Sequence, residues 1–91
     1  MKWMEVIKLR MAEREPESVE RKILKLIKDV GNSRRMEDIK LYHNALVGND
    51  LSINLHWESG NAEQQGSATG LCLVHLFRNF GLVSHSVWIE E

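Results

Sequence analysis

The last third of the chain contains the feature that most restricts the fold, an apolar helix that leads directly into a strand. Ser67 is a typical N-cap residue, and Arg78 is the only charged side chain in the helix that it opens. We expect Gly81 to end this helix at the C′ position, and the β-branched residues that follow predict a strand. A helix with so little polar surface should be covered on more than one side, so it defines the core.

Length, charge and cysteine content limit the possible classes of protein. The chain has 91 residues, which predicts one domain spanning residues 1–91, and its net charge of −1 argues against nucleic acid as a partner. The single cysteine, Cys72, excludes an intramolecular disulfide. We find neither a secretory signal nor an apolar run long enough to cross a bilayer, so we expect no membrane association and a cytoplasmic location.

The segments before this helix show two different periodicities. Residues 3–11 alternate as a strand, and the side with Ile7, Leu9 and Met11 is the better candidate for the core. A helix follows from Pro16, with apolar residues at helical spacing and Gly31-Asn32 as its stop. Residues 38–45 and 51–57 then alternate on either side of a turn, which predicts a hairpin.

This order of elements, βαββαβ, predicts an α+β domain of the ferredoxin-like class. In that class a four-stranded antiparallel sheet carries two helices on one face, and we expect the strand order fourth, first, third, second. Trp3, Trp57 and Trp88 should then lie at one end of the sheet. Trp3 and Trp57 should face the helices, and Trp88 should lie on the opposite face.

Two segments carry a resemblance to a known group of proteins, residues 66–71 (GSATGL) and residues 80–88 (FGLVSHSVW). Together with the topology, which covers the whole chain, they resemble the dimeric α+β-barrel superfamily and especially its small uncharacterised members. More distantly, the chain resembles the antibiotic-biosynthesis monooxygenases and the stress-responsive barrel proteins. The resemblance implies that the domain pairs as a dimeric α+β barrel, but it transfers no catalytic residue to this sequence.

Histidines are the main candidates for chemistry. His43 and His85 fall among apolar residues on the predicted helix-facing side, where an imidazole must find a hydrogen-bond partner or line a wet cavity. We take both, with Tyr42 and Trp57, as candidate ligand-binding residues. Both histidines also have a purely structural interpretation, as core residues with satisfied hydrogen bonds.

Other reactive side chains are assigned ordinary roles. Cys72 is expected to be a small buried residue, and His75 a surface residue one turn later on the same helix. Glu5 is the only carboxylate predicted to point inward, and we expect it to be solvated at the end of its strand. The spacing of the histidines is not that of a metal site, so we predict no metal and no cofactor.

The face of the sheet without helices is predicted to pair with a second copy of the chain. Its residues mix large apolar and polar side chains, and the candidate interface consists of Met4, Val6, Asn54, His56 and Trp88. A stripe on the second helix, formed by Leu71, Val74 and Arg78, is the competing contact surface.

Two classes of function remain open. The first is a homodimeric barrel without catalysis that binds a partner or a small apolar ligand. The second is a cofactor-independent, monooxygenase-like or isomerase-like enzyme with an apolar pocket between sheet and helices and His43 or His85 as proton acceptor. A histidine facing a cavity of about 300 Å³ or more would favour the enzyme, and a filled core would favour the binding protein.

Overall fold

The computed structural model describes residues 2–12, 16–30, 36–58 and 62–91. Six elements follow one another along the chain, in the predicted order. They are β1 (Trp3–Met11), α1 (Pro16–Val30), β2 (Met36–His43), β3 (Asp50–Trp57), α2 (Ala68–Phe77) and β4 (Gly81–Ile89). In the described part of the chain, neither helix is long and apolar enough to cross a membrane.

The four strands form one antiparallel sheet in the order β2-β3-β1-β4, and the two helices lie on one of its faces. This confirms the predicted ferredoxin-like fold. Because β1 and β3 are central, each is paired on both sides, and their inward side chains are sealed by neighbours on the sheet as well as by the helices. Among the described residues, no helix or strand covers the opposite face of the sheet, which we call the open face.

The core lies between the sheet and the helices. Ile7 and Leu9 of β1 are buried as predicted, as are the four inward residues of β3. The helices add one apolar stripe each: Val19, Ile23 and Ile27 from α1, and Leu73, Val74 and Phe77 from α2. Each of these side chains contributes about 1.5–3 kcal/mol when fully buried, so the core is the main source of stability.

The tryptophans confirm the topology. Trp3 and Trp57 are register partners on β1 and β3, and their rings stack on the helix side with centroids 5.3 Å apart and planes inclined by 14°. Trp88 pairs with Met4 at the same end of the sheet but lies on the open face, where it is more than half exposed. Stacking of this kind stabilises a pair by about 0.5–1.5 kcal/mol beyond its buried area.

The second helix differs from the sequence-based expectation in its end and in its cover. It ends at Phe77 with Arg78 as C-cap, and Gly81 opens β4 instead of closing the helix. Leu71 and Cys72 are exposed, so the helix is covered on one side and the expected burial of Cys72 is wrong. The low charge of α2 was therefore not a reliable indicator of how many of its sides are buried.

The second strand is shifted toward the N-terminus of the predicted segment. It spans Met36–His43 because Asn44 starts a turn, where its side-chain oxygen accepts hydrogen bonds from the backbone N–H groups of Leu46 and Val47. The predicted helix stop at Gly31-Asn32 lies outside the described residues.

Gly81 allows β4 to approach β1 closely, which gives a first prediction. A Cβ at this position would overlap the backbone carbonyl of Arg10, and a carbonyl inside a strand ladder cannot move away. Gly81→Ala should therefore lower the free energy of unfolding by about 1–3 kcal/mol in urea denaturation. Gly48→Ala is the matched control, because no atom lies within 4 Å of a Cβ there. Equal stability of the two variants would contradict this account.

Candidate functional site

A buried carboxylate lies beneath the first turn of α2. Strand alternation places Glu5 on the helix side of β1 between Trp3 and Ile7, and its side chain has no solvent exposure. An ionised carboxylate is very costly to bury without partners, so its surroundings must supply hydrogen bonds. We call Glu5, Trp57, Ser67 and His85 the Glu5 cluster.

Each oxygen of Glu5 has two partners. Oε1 accepts from the backbone N–H of Ser67 at 2.9 Å and lies 2.9 Å from Nε2 of His85. Oε2 accepts from the indole N–H of Trp57 at 2.8 Å and from the hydroxyl of Ser67 at 2.6 Å. We assign the proton of the imidazole to Nε2, because the carboxylate then accepts four hydrogen bonds, the pattern of its ionised form.

The position of the carboxylate is set by the start of α2. Ser67 is the N-cap of this helix, and its hydroxyl accepts the backbone N–H of Gly70 at 2.9 Å while donating its own hydrogen to Glu5. The positive end of the helix dipole adds a favourable field for a negative charge. A Cβ at Gly70 would overlap the Glu5 carboxylate, so the helix can come this close only with glycine there.

His85 is held in one orientation by this arrangement. Its ring packs against Gly66. The φ of this residue is 99°, a conformation that favours glycine, and a Cβ at this position would overlap the ring. The imidazole side chain is 14% exposed. A carboxylate that binds one ring nitrogen leaves the other, Nδ1, as the basic atom, which is the pairing that orients a histidine for proton transfer.

The expectation that Glu5 is solvated is therefore wrong. Its position near the end of β1 suggested exposure, but Trp3 and Trp57 stack over that end of the sheet and α2 begins above it. The signal was present in the sequence. Glu5 is the one carboxylate on an otherwise apolar inward side, and Trp57, Ser67 and His85 are the donors that the predicted topology brings near it.

The second feature with functional potential is the open face. Two of the depressions formed by the described residues lie on it, at opposite ends. The larger, of about 450 Å³, is lined by Lys8, Arg10, Tyr42, Ser84 and neighbouring residues, and we call it the Lys8 depression. The smaller, of about 260 Å³, is lined by Met4, His56 and Trp88 among others.

The candidate ligand-binding residues do not form a single site. Trp57 and His85 belong to the Glu5 cluster, whereas Tyr42 and His43 line the Lys8 depression on the other side of the sheet. His43 pairs with Leu51, whose side chain is in the core, so strand alternation places His43 on the helix side of the sheet, as expected. It is nevertheless exposed at the end of an edge strand and is not among buried apolar residues.

The candidate interface residues do lie together. Met4, Val6, Asn54, His56 and Trp88 occupy two adjacent rows of cross-strand partners on the open face. By contrast, the competing stripe on α2 is not continuous, since Val74 is buried in the core between the exposed Leu71 and Arg78.

An ion pair borders the Lys8 depression. Nε and Nη2 of Arg10 donate to the two carboxylate oxygens of Asp50 at 2.9 and 3.1 Å, in a bidentate arrangement. The hydrogen bonds from Arg10 and its charge lower the pKa of Asp50 from its ordinary value. Across the described residues no group of three or more side chains of the metal-binding types lies close together.

Comparison with known proteins supports the fold alone. No family model matches the sequence, and there is no significant match among curated proteins. Among solved structures, the chain is similar to SnoaB, a cofactor-independent oxygenase from Streptomyces nogalater, with 11% identity, a TM-score of 0.75 and coverage of 99% of this chain and 93% of that one. The comparison with Rv0793 from Mycobacterium tuberculosis gives 17% identity, a TM-score of 0.69 and coverage of 100% and 96%.

The chain is also similar to a conserved protein from Methanosarcina mazei Go1. That comparison gives 15% identity, a TM-score of 0.72 and coverage of 100% of this chain and 94% of that one. These matches confirm the predicted resemblance in chain architecture. At such low identity they carry no information on which residues act.

Replacing the buried carboxylate by an amide tests the Glu5 cluster. In Glu5→Gln the amide NH₂ would face two of the four donors, so those donors would lose their acceptor inside the protein. We expect the free energy of unfolding to fall by about 1–3 kcal/mol, measured by urea denaturation. Glu37→Gln, at an exposed carboxylate that forms a surface ion pair with Lys2, should change the free energy of unfolding little. A Glu5→Gln protein as stable as this control would show that the cluster contributes nothing.

Proposed function

We propose that the protein is a homodimeric binding domain of the α+β-barrel type, assembled through the open face of its sheet. The observation that carries this proposal is the set of large apolar side chains that are exposed on that face. Trp88 is 58% exposed and Leu82 76% exposed, with Tyr42 about half exposed and Met4 and Val6 partly exposed between them. Large apolar side chains grouped on one face of a small domain are typical of an interaction surface.

A second copy of the chain is the occupant that fits this face best. An isologous two-fold contact covers the same patch on both copies, so one complementary surface serves twice. The polar residues support a partly hydrogen-bonded contact: Asn54 already accepts from Ser52 at 2.9 Å, and Ser86 accepts from the indole N–H of Trp88 at 2.9 Å. A typical protein–protein interface contains several direct hydrogen bonds beside its apolar contacts.

The binding interpretation is favoured over catalysis by the position of the cavities. Among the described residues, the space between sheet and helices is occupied by large apolar side chains and the Glu5 cluster, whereas the Lys8 depression lies on the open face. A small molecule held there would be covered by the second copy of the sheet. His43 reaches the rim of this depression, but the oriented histidine, His85, is on the far side of the sheet.

A second candidate function rests on the hydrogen bond between His85 and Glu5. A partly exposed imidazole whose Nε2 is held by a buried carboxylate is suited to accept a proton at Nδ1. This supports a cofactor-independent oxygenase or isomerase-like activity, and SnoaB is named as an oxygenase of that kind. We rank it second because the described cavities do not include His85 among their lining residues.

Light scattering tests the dimer. The wild-type protein at micromolar concentration should have twice the mass of one chain, and Trp88→Glu should reduce it to one, because an unpaired charge buried in an apolar contact is poorly tolerated. Leu71→Glu, at an exposed apolar position on α2, is the matched control and should remain dimeric. A wild-type monomer would exclude the dimer, and dissociation by Leu71→Glu alone would place the contact on α2.

His85→Phe separates the two functions. If His85 is structural, the change removes a donor from Glu5 and should lower the melting temperature, with about 1–3 kcal/mol lost. We expect this outcome, because the ring is nearly enclosed and contacts both Glu5 and Gly66. His75→Phe on the exposed side of α2 controls for the added aromatic surface. Unchanged stability together with lost ligand binding would instead support the catalytic interpretation.

A further inference from the structure

One row of cross-strand partners on the open face consists of side chains that can all donate hydrogen bonds. Tyr42 on β2 pairs with Ser52 on β3, Ser52 pairs with Lys8 on β1, and Lys8 pairs with Ser84 on β4. The row therefore crosses all four strands. All four residues line the Lys8 depression, so their polar groups border the same space of about 450 Å³.

The charge of this depression is not balanced. Its lining contains two cationic side chains, Lys8 and Arg10, and one carboxylate, Asp50. Arg10 already occupies both oxygens of Asp50 through its bidentate contact. Within residues 2–12, 16–30, 36–58 and 62–91, Lys8 has no ion-pair partner, so one positive charge faces the depression without a counterion of this chain.

Two neutral donors lie in the same row as that charge: Ser84 is next to Lys8, and Tyr42 lies two strands away, beyond Ser52. In the described part of the chain, the hydroxyl groups of Tyr42 and Ser84 make no hydrogen bond to protein, whereas the hydroxyl of Ser52 donates to Asn54. An ammonium group with hydroxyl groups on both sides is a donor set for an anionic oxygen. Charge-assisted hydrogen bonds of this kind are about twice as strong as neutral ones.

Leu82 supplies the apolar part of the depression, and its side chain is mostly exposed at the edge. Leu9, Leu51 and Val83 also border the depression, but their side chains lie on the helix side of the sheet. A space of this size is within the range of small-molecule sites, which combine apolar walls with a few polar groups that orient the ligand. An inorganic ion would use the donors and leave the apolar part in water, whereas an organic anion would use both.

We propose that the Lys8 depression binds a small organic anion. Its carboxylate or phosphate group lies against Lys8, Tyr42 and Ser84, and its apolar body lies against Leu82. The inference rests on the proposed binding function, for which it names the class of ligand. Carboxylates and phosphate monoesters share the chemistry that this donor set recognises, and the experiment below distinguishes them.

Calorimetric titration with three matched probes tests this inference. Benzoate and phenyl phosphate carry the two anionic groups on the same ring, and benzamide is the neutral counterpart of benzoate. At least one anion should bind about tenfold more tightly than benzamide, because a hydrogen bond to an ionised acceptor is stronger than one to a neutral acceptor. The tighter of the two anions identifies the class of head group. Equal binding of benzoate, phenyl phosphate and benzamide, or no binding at all, would overturn the inference.

Two charge-removing variants locate the site. Lys8→Met should weaken binding of the anion about tenfold. The fold of this variant, checked by circular dichroism, should be unchanged because Lys8 is exposed. Lys40→Met removes the same charge from the adjacent row, where Lys40 pairs with Asp38 outside the depression, and should leave binding unchanged. Equal weakening by both variants would mean that the anion responds only to net charge, and the inference would fail.

The outcomes for the ligand and for the dimer are separable. If Trp88→Glu is monomeric and still distinguishes benzoate from benzamide, the anion site stands in a single chain. If the wild-type protein is a dimer that fails to bind either anion, the inference about the ligand is wrong and the proposed assembly is unaffected.

Discussion

The buried carboxylate of Glu5 is the constraint on which the arrangement of the other elements depends. Its desolvation would cost several kcal/mol without partners, and all of its partners are distant in sequence: Trp57 on β3, Ser67 at the start of α2, and His85 on β4. No local rearrangement of β1 can replace them. The carboxylate is satisfied only when three other elements occupy their native positions.

Such a group specifies a structure more than it stabilises one. Replacing a buried ionic network by well-packed apolar residues is often neutral or stabilising, so the net gain from the Glu5 cluster is small compared with that of the apolar core. Its effect is on geometry. The N-terminus of α2 is fixed over the sheet by a side chain with four directional bonds, and Gly66 and Gly70 allow the approach that those bonds require.

The fold could be predicted from the sequence because the spacing of apolar residues and the order of helices and strands can both be read directly along the chain. Alternation in residues 3–11 and 51–57 identified the inward sides of both central strands, and the order of elements then determined how they pair. The Glu5 cluster was missed because its signal is not local. Glu5 alone resembles a carboxylate at a strand end, and only its four donors, brought together by the tertiary fold, show that it is buried.

The errors on α2 have a related cause. The absence of charge predicted that the helix is covered on more than one side and that Cys72 is buried. Burial depends on what packs against a helix, and among the described residues α2 packs against the sheet and α1. The candidate ligand residues were likewise chosen by residue type and parity. His43 has the parity of the core side, yet an edge strand that ends at that residue leaves it exposed.

The proposed assembly and the proposed ligand are linked through Lys8. This side chain lies in the middle of the open face on a central strand, between Ser52 and Ser84, so a second sheet packed there would remove its ammonium group from water. That desolvation opposes association unless an anion accompanies the charge. An anion that binds Lys8 more tightly in the dimer than in the monomer must stabilise the dimer by the same factor, because coupling between two binding equilibria is reciprocal. The open face would then respond to its ligand through assembly.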